Sequence, residues 1–111
     1  AVLKKTEGTG YPGRMDNGRG MESNLSQTFT IKNKLGLHAR AAALFVQLSN
    51  KFASEILVEK NGQEVNGKSI MGILILAATQ GSRITVKTEG QDAKAAMDAL
   101  GGLIDNGFGE D

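Results

Sequence analysis

Leu25, Gln27, Phe29 and Ile31 alternate with Ser26, Thr28, Thr30 and Lys32, the period of two that turns one face of a strand to a core and the other to water. Beyond Gly36 the period lengthens. Ala41, Leu44, Phe45, Leu48 and Phe52 follow one another at offsets of 3, 4, 7 and 11 from Ala41, the apolar stripe of a helix that starts near Ala39. Alternation returns in EILVEK, Glu55 to Lys60, where Ile56 and Val58 point the same way. Asn61-Gly62 then reads as a two-residue hairpin turn, since both residues tolerate positive φ, and the short strand QEVN follows. Gly67-Lys68-Ser69 opens a short helix, SIMGILILAA, and SRITVKT is a further strand that buries Ile84 and Val86. Asp92 begins a last helix with the stripe Ala93, Ala96, Met97, Leu100 and Ile104, and Asn106-Gly107 ends it with residues suited to a left-handed cap. The order is β-α-β-β-α-β-α. With a hairpin in its middle it predicts an α+β open sandwich, an antiparallel sheet covered on one face by helices.

The first 24 residues break this regularity. They are rich in glycine and charge, lack periodicity and hold the single proline, Pro12. Such a segment buries too little apolar surface to offset its ordering entropy, so 1–24 is expected to be a disordered extension or an expression remnant, with Met21 a candidate natural start. Residues 25–111 then form one domain. Aromatics make up only 5% of the chain, which predicts an aliphatic core. Thirteen basic residues against 12 acidic ones leave no global field for nucleic acid or an anionic membrane. The absence of cysteine excludes disulfides, thiolate metal sites and a cysteine nucleophile. The longest apolar run, Ile73 to Ala78, is too short to span a bilayer, and no signal-peptide pattern opens the chain. A cytoplasmic protein is expected.

The stretch KLGLHARAA, Lys34 to Ala42, contains the only histidine. Helices usually start on Ser, Thr, Asp or Asn, whose side-chain oxygen caps unpaired N–H groups. Here the position is held by His38, with Arg40 two residues on. The positive end of a helix favours a neutral ring with a nucleophilic nitrogen, and its free N–H groups are suited to an anion. A phosphoryl group on His38 would find the amides of Ala39 and Arg40, and a charge-assisted contact from the Arg40 guanidinium. A poor cap becomes a good one once it carries phosphate. Gly36, without a β-carbon, would leave the loop open to a partner's phosphoryl group. No carboxylate stands near His38 in the sequence, so there is no local sign of a general-base dyad. One histidine without clustered acids also gives no metal site, and hydrolytic machinery is absent from the pattern. The plain alternative is a solvent-facing loop histidine.

Ser69 occupies a good helix-cap position, which is reason enough for a serine there. A phosphate on Ser69 would sit at a positive helix end beside Lys68, and could repel a partner that expects an apolar surface. The helix after it carries Ile70, Met71, Ile73, Leu74, Ile75 and Leu76 and almost no polar face. Part of that surplus, with Ile70, Met71 and Leu74 the expected members, should form an exposed interaction patch.

GLHAR at 36 to 40 and VNGKSIMGIL at 65 to 74, with this spacing and element order, make the region Leu25 to Asp111 resemble the HPr family, histidine-containing phosphocarriers of the bacterial phosphotransferase system. The resemblance implies an open-faced β-sandwich with a four-stranded antiparallel sheet and three helices on one face. It implies that His38 accepts a phosphoryl group, derived from phosphoenolpyruvate, from enzyme I and passes it to EIIA domains of sugar transporters. Arg40 and the Ala39 amide would stabilise that group, and Lys68, Ile70, Met71 and Leu74 would lie on the docking surface. Ser69 matches the position modified by HPr kinase/phosphorylase. Such a protein is a monomeric stoichiometric carrier rather than an enzyme and needs no cofactor. The family usually has proline after the arginine, where this chain has Ala41. The helix should still form, with a less rigid active-centre loop. The rival is a regulatory module of the same fold, serving carbon or nitrogen control, that works through phosphorylated Ser69 and protein contacts.

Overall fold

The structure is a computed structural model and describes residues 23–110. The expected N-terminal extension therefore lies outside the described residues up to position 22. Ser23 and Asn24, assigned to it from the sequence, are instead the first residues of a strand. Four strands form one sheet: β1 (Ser23–Thr30), β2 (Glu55–Lys60), β3 (Gln63–Asn66) and β4 (Arg83–Gly90). Three helices, α1 (Ala39–Ser49), α2 (Ile70–Ile75) and α3 (Ala93–Asp105), connect and follow them. The strand order is β1-β4-β2-β3 and every neighbouring pair is antiparallel. This is the open-faced α+β sandwich expected from the pattern. β1 and β2 run parallel to each other but do not touch, because β4, the last strand in the chain, fills the slot between them.

Alternation sorts the sheet into two faces. Phe29, Ile56, Val58, Ile84, Val86 and Thr88 are buried under the helices. The Thr88 hydroxyl is satisfied there by donating to the Ala93 carbonyl at 3.0 Å. The opposite face is polar. Thr28 and Thr85 share a hydroxyl hydrogen bond of 2.9 Å across β1 and β4, and the Lys87 ammonium bridges Glu59 at 3.1 Å and Glu64 at 2.8 Å. Asn61 (φ 52°) and Gly62 (φ 85°) make the expected tight turn between β2 and β3.

The helices pack through small residues. In α1 the buried face is Ala41, Ala42, Phe45, Val46 and Ser49, while Leu44, Leu48 and Phe52 pack half-buried at its margin. The two alanines let the first turn lie close to the core, which rotates the stripe relative to a reading by side-chain size. In α3 the predicted residues are all buried, with Gly101 beside them. Asp92 precedes α3 but does not cap it with its side chain. Its carboxylate accepts hydrogen bonds from the backbone N–H groups of Ala53 (2.8 Å) and Ser54 (2.9 Å) and from the Ser54 hydroxyl. The Ser54 hydroxyl, then the Ala53 amide, hold this carboxyl below its usual range, so the group ties the α1–β2 turn to the start of α3.

α2 is shorter than SIMGILILAA suggests. It ends at Ile75, Leu76 caps it, and Ala77 turns left-handed with φ 49°. That turn lets the following chain run beside the loop before α1, where the Leu37 N–H donates to the Ala78 carbonyl at 2.9 Å. Ala77 is exposed, so no packing is lost by trimming its methyl group. A left-handed alanine costs roughly 1–2 kcal/mol, and glycine costs about 0.5–1 kcal/mol of chain entropy. Ala77→Gly should therefore stabilise the fold by about 0.5–1 kcal/mol, seen as a higher urea midpoint at an unchanged slope. A lower midpoint would show that the left-handed turn carries no strain.

Candidate functional site

Two helices start in this structure on a side-chain cap, and the caps differ in kind. Ser69 caps α2 with its hydroxyl accepting from the Gly72 N–H at 3.1 Å. His38 caps α1 in an extended backbone conformation (φ −77°, ψ 179°), its Nδ1 accepting a long 3.4 Å contact from the Arg40 N–H. An acceptor at Nδ1 leaves the ring proton on Nε2. Nε2 stands 2.5 Å from Oε2 of Glu110, to which its N–H donates. The imidazole is thus held between the N-terminus of α1 and a carboxylate 72 residues away in the chain.

Glu110 is in turn held by the loop before α1. The Asn33 side chain, 3% exposed, donates through Nδ2 to Glu110 Oε1 at 2.8 Å and to the Gly36 carbonyl at 2.9 Å. Asn33 Oδ1 is buried without a hydrogen-bond partner among the described residues. The Asn33 hydrogen bond, followed by that of His38, holds the Glu110 carboxyl below its usual range against an opposing effect of burial. The charge of His38 in its protonated form, then that of Arg40, adds a smaller attraction. The carboxylate arrives there through a compact turn after α3. Gly107, Phe108 and Gly109 have φ of 63°, 58° and 76°, and the Phe108 ring is buried in the core. A bulky residue in the left-handed region is strained, and burial of the ring offsets that strain.

Neither Glu110 nor Asn33 emerged from the sequence. The glycines around Phe108 signal a turn after the helix, but nothing local says what the turn delivers or where. The absence of a carboxylate near His38 holds along the chain and fails in space. Gly36 also needs a different explanation. Its φ is 67°, and a β-carbon there would lie 2.3 Å from the Ala78 carbonyl oxygen. Its missing side chain lets the loop pack on residues 78–79 rather than opening a path for a phosphoryl group.

Arg40 is exposed and lines an open depression together with Lys34, Leu35, His38, Gly109 and Glu110. Ala41 is fully buried in the first turn of α1, so the helix forms without a proline there. Lys68 follows Asn66 in a tight turn and sends its ammonium to the Phe52 carbonyl at 2.7 Å. Its charge therefore ties the turn between α1 and β2. The apolar patch is present but has other members. Ile70, Met71 and Ile75 are 44%, 68% and 56% exposed, whereas Leu74 is half-buried against the core. With Ile73 pointing into the core, Met71 and Ile75, four apart, share the outward stripe of α2, and Leu74 falls on its flank. Leu35, in the loop before His38, is 69% exposed and lines the depression at the histidine.

Residues 25–106 match the family model described as PTS HPr component, phosphorylation site. A four-stranded antiparallel sheet under three helices is the fold this chain shares with solved phosphocarrier structures. HPr-C-His from Thermoanaerobacter tengcongensis superposes with a TM-score of 0.76 at 52% identity, over 78% of this chain and 98% of that one. In sequence, the chain is 52% identical over 86 residues to phosphocarrier protein HPr of Cupriavidus necator, covering 78% of this chain and 97% of the relative. It is 56% identical over 75 residues to the HPr-like protein Crh of Halalkalibacterium halodurans, covering 68% of this chain and 89% of that protein. The chain belongs to the HPr family, the phosphocarriers of the phosphotransferase system.

The lowered Glu110 carboxyl has a consequence for stability. A group whose acidity is increased by folding contributes fully above its unfolded range, near pH 4.3 for a glutamate, and loses that contribution as pH falls through its folded value. The gap in urea midpoint between the parent chain and Glu110→Gln should therefore narrow steadily from about pH 5 to pH 2. A gap that persists unchanged to pH 2 would mean that the negative charge contributes nothing.

Proposed function

We propose that this chain is a stoichiometric phosphoryl relay in which His38 Nδ1 takes the group from a phosphohistidine of enzyme I, charged by phosphoenolpyruvate, and hands it to EIIA domains. The observation that carries this reading is the orientation of the imidazole. Glu110 occupies Nε2, so the unprotonated nitrogen is Nδ1, at the N-terminus of α1, engaged only by the long contact from the Arg40 N–H. A phosphoryl group on Nδ1 would lie against donors that a helix leaves unpaired in its first turn, among them the Ala39 and Arg40 N–H groups. The exposed Arg40 guanidinium supplies a charge-assisted contact from the solvent side. No metal or cofactor is required for such a transfer, since the bond formed on one nitrogen replaces the bond broken on another.

The docking surface in this reading is the apolar rim of the site: Ile70, Met71 and Ile75 on α2, and Leu35 on the loop. Partners that must release each other quickly need only a small contact. Ser69 sits at the edge of that rim as the cap of α2. A phosphate on it would add charge beside Ile70 and Met71, which supports a role for Ser69 in turning docking down. The likeness to the Crh protein favours a second reading, a regulatory module acting through Ser69 alone. The retained His38 and its held geometry favour the relay.

Incubation with phosphoenolpyruvate and a cognate enzyme I, followed by mass spectrometry before and after acid, separates the two. The relay predicts one acid-labile phosphate, lost in His38→Ala. A folded chain that takes phosphate on Ser69 from a kinase but none on His38 would leave the regulatory reading. Arg40→Ala should slow transfer roughly 10–100-fold, the worth of one hydrogen bond to a charged group. Met71→Glu should raise the KM for this protein as substrate of enzyme I about tenfold while leaving the saturated rate largely unchanged. A fall in the saturated rate with KM constant would place Met71 in the chemistry instead of the docking.

A further inference from the structure

Glu110 does more in this geometry than orient a ring. We infer that Glu110 is a positioning residue that keeps one proton on His38 Nε2 through the whole phosphoryl cycle, so that the ring gains and loses phosphate without exchanging a proton with solvent. The inference rests on the relay reading above and adds a proton balance to it. In the accepting step the Nδ1 lone pair forms the new N–P bond as the donor's N–P bond breaks and its electron pair returns to the donor nitrogen. The Nε2–H stays in place, so the phosphorylated ring carries a positive charge, next to the Glu110 carboxylate. In the donating step the Nδ1–P bond breaks, its pair returns to Nδ1, and the leaving group is neutral imidazole. Were Nε2 stripped of its proton, the leaving group would be an imidazolate anion, a far poorer one.

Three features of the chain fit this role. The carboxylate is fixed at both oxygens, Oε2 by His38 at 2.5 Å and Oε1 by Asn33 at 2.8 Å, so it cannot rotate away as charge develops on the ring. Its Asn33 partner is itself almost fully buried and anchored to the Gly36 carbonyl. The groups lining the depression around His38 include two cations, Lys34 and Arg40, and one carboxylate, Glu110. The cations suit the phosphoryl oxygens but oppose positive charge on the ring. Glu110 is the counterweight, and the strained turn at Phe108 delivers it there.

The test uses the full chain with Glu110→Gln and Glu110→Ala, each charged by phosphoenolpyruvate and enzyme I. Long-range ¹H–¹⁵N correlation on the free ring reports which nitrogen carries the proton. The pH profile for loss of phosphate from His38 reports how long the phosphorylated ring keeps it. The parent chain should show the Nε2–H form and remain labile to higher pH. Gln, an acceptor without charge, should retain the Nε2–H form yet move the alkaline limb of the profile down by about one pH unit, tenfold in rate at a fixed alkaline pH. Ala should mix the two ring forms and shift the limb at least as far. Phosphate on His38 in all three chains with superimposable profiles would overturn the role of Glu110 and leave the relay standing. No phosphate on His38 of the folded parent chain would overturn the relay, and this inference with it.

Discussion

β4 pairs with β1 along its whole length on one side and with β2 on the other, and the two halves of the chain are joined in the sheet only through it. Until β4 arrives, β1 and the β2–β3 hairpin share no hydrogen bonds, and α1 spans a slot with nothing beneath it. Seating β4 puts Ile84, Val86 and Thr88 under the helices and brings the chain before it, residues 76–82, against the loop that leads to α1. The Ile31 N–H donates to the Ser82 carbonyl, its carbonyl accepts from the Gly81 N–H, and the Leu37 N–H donates to the Ala78 carbonyl. The loop carrying Asn33, Gly36 and His38 is thus shaped by a strand more than 40 residues further on. The cost is loop closure over long distances, which the chain must meet before these non-local contacts form.

The His38 end of the molecule combines several elements, none sufficient alone. α1 supplies a helix N-terminus, the loop before it supplies Asn33, and the turn after α3 supplies Glu110. A serine at position 38 would cap α1 well but would offer neither an aromatic nitrogen nucleophile nor a second nitrogen for Glu110 to hold. The chain has that better cap at Ser69, where α2 begins. Beyond the Ser69 cap the surface of α2 is apolar, while the depression at His38 is mixed, with Leu35 beside Lys34, Arg40 and Glu110. Ile70, Met71 and Ile75 are held out of the core because α2 has a single buried side chain, Ile73, and ends after six residues.

Much of the fold was legible along the chain because its information is local. The hydrophobic period of two or 3.6 marks which face each segment buries, so β2, β3 and the apolar stripe of α3 are where the pattern puts them. Asn61-Gly62 specifies its turn through two backbone angles, without reference to the rest of the protein. His38 and Arg40 stood out for a similar reason: a helix start carries its own requirement for a cap, and a departure from it is visible within a few residues. Where a boundary depended on contacts outside the segment, the pattern fell short. α2 stops early because Ala77 turns left-handed to let Ala78 meet Leu37, and α1 is rotated because Ala41 and Ala42 approach the core more closely than larger residues can.

The sequence by itself determined the elements, their order, the buried face of each strand, and a histidine with an arginine at the mouth of a helix. Periodicity, turn propensity and capping are properties of neighbours in the chain, and they need no partner at a distance. Only the tertiary structure decided that Glu110 meets Nε2 of that histidine, that Asn33 holds the carboxylate, and that Gly36 is small to admit the Ala78 carbonyl. It also decided that Ile75 and Leu35, rather than Leu74, face outward. These are pairings between residues tens of positions apart. They are set by where packed elements bring their ends together, and no period in the chain records that.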